Sequence, residues 1–149
     1  MDSNLNILVI GAGMYVCGKG TDGYGTILPA LYQVKKQGLV GRVVIAATSS
    51  ASIKELKAKV KKLNLLFNDE LLISYLPNRN KRDPAAYKKA FDLGFRIDCA
   101  IISVPDKQHA QVTSYLLKKK IHCLVVKPLA PTLKEVRQLV KLQRANGAY

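Results

Sequence analysis

Short runs of consecutive apolar residues alternate along the chain with segments in which apolar residues recur every three or four positions. The runs predict five strands: Leu5–Ile10, Val43–Ala47, Leu71–Leu76, Cys99–Val104 and Cys123–Val126. The amphipathic segments predict five helices: Thr26–Gln37, Ile53–Leu63, Pro84–Leu93, Lys107–Lys119 and Leu133–Asn146. Near-continuous apolar strands are typical of parallel sheets that are covered on both faces. The alternation therefore predicts one α/β domain with a doubly wound parallel sheet.

Local signals mark the ends of several predicted helices. Three helix starts carry N-terminal signals, namely Ser52 with Glu55, Thr132 with Glu135, and Asp83 followed by Pro84. Three glycines are placed to end helices, Gly38, Gly94 and Gly147. The polar and basic stretch Pro77–Asp83 is predicted to be a loop.

Glycine is concentrated directly after the first predicted strand. Six of the ten glycines lie between Gly11 and Gly25, and a helical pattern follows them. A G-x-G turn in this place allows the backbone to approach a pyrophosphate, so Gly11, Ala12, Gly13 and Met14 are candidate cofactor-binding residues of a Rossmann-type fold. The third glycine of the full fingerprint is replaced by Val16. A flexible connection without a ligand is the alternative interpretation.

The second predicted strand ends in hydroxyl groups. In NAD-binding folds an acidic residue near this point accepts hydrogen bonds from the adenosine ribose, and here Thr48, Ser49 and Ser50 stand instead, with Lys54 after them. Hydroxyls and a cation suit the 2′-phosphate of NADP, which is therefore favoured over NAD. Alternatively, Ser50 and Ser52 only cap the following helix.

The net charge of +14 comes from 24 Lys and Arg against 10 Asp and Glu. The densest lysines, Lys54, Lys57 and Lys61, lie on one face of a predicted helix opposite its apolar face, which indicates a solvated surface. Because no nucleic-acid-binding motif accompanies the charge, we do not expect a nucleic-acid partner.

The cysteines help to predict the compartment. The chain has an odd number of cysteines, Cys17, Cys99 and Cys123. Their spacing is not that of metal ligands, and they form no plausible zinc site with the two histidines. No apolar run approaches the roughly 20 residues of a membrane span, and the N-terminus lacks a basic segment of a secretory signal. Reduced thiols in a cytoplasmic protein are therefore expected. A nucleophilic Cys17 in the glycine turn is an alternative, but the sequence offers no partner base.

The second half of the chain carries two turns that resemble a known family. Ser103-Val104-Pro105 is followed by His109, and the fifth predicted strand leads into Lys127-Pro128. These segments are similar to the N-terminal domain of the Gfo/Idh/MocA oxidoreductases, in which one strand ends in a small-residue-Pro-x-x-x-His turn and the next in Glu-Lys-Pro. Val126 replaces the glutamate of that motif.

The resemblance implies site residues and a reaction class. It implies that Ser103, Val104, Pro105, His109 and Pro128 line the cofactor. Lys127 would lie beside the nicotinamide and the substrate and act as a catalytic residue. A lysine at the carboxyl edge of a parallel sheet is also where open α/β folds bind ligands. The resemblance implies hydride transfer between NADP(H) or NAD(H) and a hydroxyl or carbonyl group, with a sugar-like substrate as one class.

The resemblance also implies a domain organisation. Residues 1–149 correspond to the dinucleotide-binding domain, and family members carry a second domain that supplies substrate contacts and oligomer interfaces. We therefore expect a longer, homo-oligomeric enzyme whose cofactor domain is inactive by itself, because half of the substrate cleft is supplied elsewhere. The alternative function is a non-catalytic module that binds or senses nucleotides through the same site.

Overall fold

The computed structural model describes residues 4–78 and 82–149, and the elements below are those of the described residues. The strands are β1 Leu5–Ile10, β2 Val40–Ala46, β3 Leu72–Leu76, β4 Cys99–Ile102 and β5 His122–Val125. The α-helices are α1 Met14–Cys17, α2 Ile27–Lys36, α3 Ser50–Phe67, α4 Asp106–Lys118 and α5 Leu133–Asn146, and a 3₁₀ helix spans Ala86–Asp92. No helix among these residues is long and apolar enough to cross a membrane.

The strands form one parallel sheet in the order β3-β2-β1-β4-β5. The chain builds outward from β1 through β2 to β3, and then returns to the other side of β1 to add β4 and β5. This order places a topological switch point between β1 and β4. In open α/β sheets, ligands bind beyond the carboxyl ends of the strands at such a point. The predicted fold class is confirmed.

Both faces of the sheet are covered, which explains the continuous apolar runs. Within β1, Ile7 and Val9 pack into the cluster that includes α2 and α3, whereas Leu8 and Ile10 pack against the 3₁₀ helix and α4. Val9 is completely buried. Because every residue of such a strand meets a helix layer, polar positions do not alternate with apolar ones.

The N-terminus of α3 corrects one sequence prediction. The helix begins at Ser50, three residues before the predicted start, and Ser49 is its N-cap. The Ser49 hydroxyl accepts a hydrogen bond from the amide of Ser52. Ser49, rather than Ser50 or Ser52, therefore caps the helix. By contrast, the capping box of Thr132 and Glu135 at the start of α5 is confirmed.

The fourth predicted helix has the predicted place but a different geometry. It is the 3₁₀ helix, and it buries Tyr87 and Ala90, whose three-residue spacing matches the 3₁₀ repeat. The Asp83 carboxylate accepts a hydrogen bond from the amide of Ala85 just before it. Of the predicted loop Pro77–Asp83, residues 79–81 lie outside the described residues.

Candidate functional site

The glycine turn lies at the switch point of the sheet. The Gly11 amide donates to the carbonyl of Ala46 at the end of β2, and the Ser103 amide donates to Ile10, both at 2.8 Å. Gly11 has a φ of +120°, and a Cβ atom on it would lie 2.0 Å from the Ser103 carbonyl oxygen. Glycine is required here because β1 and the turn after β4 pass in direct contact.

Gly13 has a different environment. It is the N-cap of α1 in an extended conformation, and an added Cβ atom would meet no protein atom within 4 Å. Ala12 is buried beneath the turn, while Met14 is 58% exposed above it. The open space over Gly13 fits a backbone approach by a pyrophosphate, because a side chain would occupy that space.

The sequence predicted that the glycine segment leads directly into a long helix, and the structure differs. The four-residue helix α1 intervenes, and it buries Val16, the residue at the position of the third fingerprint glycine. Cys17 is also buried, and its Sγ donates to the carbonyls of Ala12 and Gly13, each at 3.6 Å. Burial raises the pKa of the Cys17 thiol, with a further rise from Glu55. A protonated packing role therefore fits Cys17 better than a nucleophilic one.

Residues 18–25, which we call the glycine loop, are fastened to α3. Lys59 Nζ donates to the carbonyl oxygens of Thr21 and Gly23 at 2.5 and 2.6 Å. The Gly20 amide donates to a carboxylate oxygen of Glu55 at 3.0 Å. Sequence reasoning missed this contact, because the partners are more than 30 residues apart and each has an ordinary surface character.

The predicted hydroxyl cluster after β2 is divided by the structure. Ser49 lies beside Ser52, with 3.3 Å between their Oγ atoms, on the side that faces the glycine loop. Ser50 and Lys54 instead line an open cavity of about 400 Å³ next to the end of β3, together with Tyr75. Burial raises the pKa of Tyr75 to about 12. Because Ser49 lies apart from Ser50 and Lys54, the hydroxyls and the lysine predicted at this strand end do not form one group.

Three predicted cofactor residues share one cleft at the carboxyl edge of the sheet. Gly11, Thr48 and Val104 line it, from the ends of β1, β2 and β4. Pro84, Tyr87 and Gln108 also line this cleft, and sequence reasoning did not single them out for it. In the sequence, nothing marks these three residues as cleft residues except that they lie in the segments that follow β3 and β4.

His109 connects the two turns of the second half. Its side chain is 1% exposed, with Nε2 2.8 Å from the Val104 carbonyl oxygen and Nδ1 2.5 Å from that of Pro128. Because a carbonyl oxygen only accepts hydrogen bonds, each contact is a hydrogen bond when that ring nitrogen carries a proton. His109 thus holds the turn after β4 against the segment after β5.

The remaining predicted residues lie at the ends of β4 and β5. Ser103 is partly buried and Pro105, which precedes α4, is exposed. Lys127 and Pro128 are exposed, and the peptide bond between them is cis. Lys127 does not line the cleft of Gly11, Thr48 and Val104, so its role stays a prediction. Among the described residues, no group of His, Cys, Asp and Glu side chains could hold a metal ion.

Comparison with known proteins gives the family. Residues 5–149 match the Gfo/Idh/MocA family, described as an oxidoreductase family with an NAD-binding Rossmann fold. The chain belongs to this family. This membership confirms the predicted resemblance, and it supports an NAD(P)-binding oxidoreductase domain over a sensing module. No curated protein matches the chain.

Solved structures share the fold at low sequence identity. A Gfo/Idh/MocA family oxidoreductase from Vibrio cholerae has a TM-score of 0.62 and 20% identity, covering 96% of this chain and 36% of that one. A 3-ketoreductase from Actinomadura kijaniata, in complex with NADP and TDP-benzene, has a TM-score of 0.59 and 19% identity, covering 97% and 35%.

An oxidoreductase from Desulfitobacterium hafniense, described as NADPH-dependent, has a TM-score of 0.61 and 17% identity, covering 99% of this chain and 34% of that one. The chain therefore spans about a third of the length of these structures.

Proposed function

We propose that this chain binds NADP(H) at the carboxyl edge of its sheet and is the cofactor domain of an oxidoreductase. The observation that carries the proposal is the convergence of Gly11, Thr48 and Val104 around a small cavity of about 30 Å³ at the switch point, with open space over Gly13. The substrate would be a sugar-like hydroxyl or carbonyl compound. The 3-ketoreductase of similar fold, solved with NADP, supports this substrate class.

NADP is proposed over NAD because of the end of β2. Neither Thr48 nor Ser49 is acidic, so the end of β2 itself supplies no carboxylate to accept hydrogen bonds from a free ribose 2′-hydroxyl. A carboxylate there would also repel a 2′-phosphate. The NADPH-dependent oxidoreductase of similar fold supports the same preference.

Different residues of the chain would bind the cofactor and act on the substrate. A nicotinamide cofactor supplies or accepts a hydride when it is bound. The backbone around Gly13 would hold its pyrophosphate, and the turn of Ser103, Val104 and Pro105 would line it. The Lys127 side chain would donate a hydrogen bond from Nζ to the substrate oxygen. As an ammonium it would give a proton to that oxygen during reduction, and as a neutral amine it would accept the hydroxyl proton during oxidation.

The whole protein is proposed to be a longer, two-domain enzyme. The chain spans about a third of the related structures, so a second domain would supply the other side of the substrate cleft. The family resemblance implies a homo-oligomer. A cytoplasmic location is proposed because Cys17, Cys99 and Cys123 are free thiols.

Calorimetric titration of this chain with NADPH and NADH tests the proposal. We expect NADPH to bind about ten- to a hundredfold more tightly, since a charge-assisted phosphate contact contributes about 1.5 to 3 kcal/mol. If neither dinucleotide binds, the proposed function is wrong. If NADH binds equally or more tightly, the domain assignment stands and the preference for NADP is wrong.

A further inference from the structure

The glycine loop places Lys19 near the end of β2, where the strand itself has no lysine. Lys19 Nζ donates to the hydroxyl of Ser52 at 3.0 Å, and the Ser52 hydroxyl lies 3.3 Å from that of Ser49. An ammonium has three N–H groups, and the contact with Ser52 uses one of them. A cation and two hydroxyls therefore meet where the second strand passes into α3.

This position of Lys19 is fixed by the loop around it. The amide of Gly20, the next residue, donates to Glu55, and Lys59 binds the carbonyls of Thr21 and Gly23. The loop is thus held to α3 at three successive places, beginning one residue after Lys19. Because the backbone is anchored, a phosphate contact by Lys19 costs less conformational entropy than one by a free surface lysine.

The charges around this cluster favour an anion. No acidic residue occurs from position 46 to position 54. Two carboxylates lie nearby, and both have partners: Glu55 accepts from the Gly20 amide, and Asp83, whose amide donates to the Thr48 carbonyl, is paired with Lys89. Arg82 pairs with Ser49 through an isolated antiparallel bridge and is exposed, so a second cationic residue lies in the segment beside Ser49.

We propose that Lys19, together with the hydroxyls of Ser49 and Ser52, binds the 2′-phosphate of NADP(H). The glycine loop, rather than Lys54, would then determine the cofactor preference, since Lys54 lines the separate cavity beside Tyr75. This inference rests on the proposed binding of a dinucleotide. It adds a specificity-determining residue that the glycine-turn and strand-end motifs do not contain.

The test measures the binding of NADPH and NADH to Lys19→Ala by calorimetry. We expect NADPH affinity to fall about tenfold or more, while NADH affinity stays within about twofold of the wild type. Lys61→Ala is the matched control, because Lys61 is an exposed lysine elsewhere on α3, and it should change neither affinity. Adenosine 2′,5′-bisphosphate and AMP should reproduce the difference without the nicotinamide half.

Further measurements separate the possible results. Lys19→Arg should keep most of the NADPH preference, and thermal unfolding should show that all variants are folded. Equal loss of NADPH and NADH in folded Lys19→Ala would overturn the inference, because the residue would then only support the loop. Unchanged NADPH affinity in Lys19→Ala with a loss in Arg82→Ala would also overturn it and assign the phosphate to Arg82. If the wild type binds neither dinucleotide, the inference fails together with the proposed function.

Discussion

Replacement of Gly13 by leucine separates cofactor binding from folding. The backbone at Gly13 has φ −91° and ψ −162°, which any residue adopts, and a Cβ atom there would meet no protein atom within 4 Å. We therefore expect Gly13→Leu to change the free energy of unfolding by less than about 1 kcal/mol.

The same change should remove most of the dinucleotide affinity. A leucine would fill the space through which phosphate oxygens approach the amides of the turn, where hydrogen bonds need about 3 Å between nitrogen and oxygen. The loss of two hydrogen bonds to a charged phosphate corresponds to about 3 to 6 kcal/mol. This is a fall in affinity of more than about a hundredfold.

Calorimetric titration with NADPH, paired with thermal unfolding, measures the two effects. Ala145→Leu is the control, because Ala145 is exposed near the end of α5 and belongs to no part of the proposed cofactor site. It should bind NADPH as the wild type does. A folded Gly13→Leu with wild-type affinity would refute the pyrophosphate site, and an unfolded one would show that the space over Gly13 is not open.

Three further predictions concern single residues. Gly11→Ala would place Cβ 2.0 Å from the Ser103 carbonyl oxygen at a φ of +120°, so we expect a loss of about 3 kcal/mol or more in denaturant unfolding, and wild-type stability would contradict the close packing. Lys127→Met in the full-length enzyme should lower kcat about a hundredfold and keep dinucleotide affinity, whereas an unchanged kcat would reject the catalytic role. The hydrogen bond from Lys35 lowers the pKa of Asp69 below its ordinary value of 3.8, so the carboxylate stabilises the fold above that pH, and this contribution is lost as the pH falls through the lowered pKa. Urea unfolding of Asp69→Asn should therefore differ from the wild type at about pH 6, and the difference should shrink as the pH falls through the lowered pKa.

Elements with a strong local pattern could be predicted from the sequence. The α5 helix has its predicted bounds, because a capping box begins it at Thr132 and Gly147 ends it. The strands were found because each lies in a run of mainly apolar residues. β1 has its predicted bounds, and the limits of the other four strands moved by one to three residues. Their parallel direction followed from the alternation of strands and helices.

The rest could not be predicted, because it depends on contacts between distant residues. Helix α1 has only four residues, which is too short to show a helical period. The attachment of Thr21 to Lys59 joins a loop to a helix 38 residues later. The division of Ser49 from Ser50 follows from the cap geometry of α3, which two adjacent serines cannot reveal in sequence.

The buried ring of His109 links the two halves of the proposed site. It contacts the carbonyl of Val104, which lines the cofactor cleft, and that of Pro128, which directly follows Lys127. The ring lies against both carbonyls, and a neutral imidazole, which has one N–H, donates to one of them at a time. His109, a residue on α4 that need not touch the substrate, thus connects the segment that carries Lys127 to the turn that lines the cleft. The histidine that follows Pro105 by four residues can thus serve to position the two turns without taking part in the reaction.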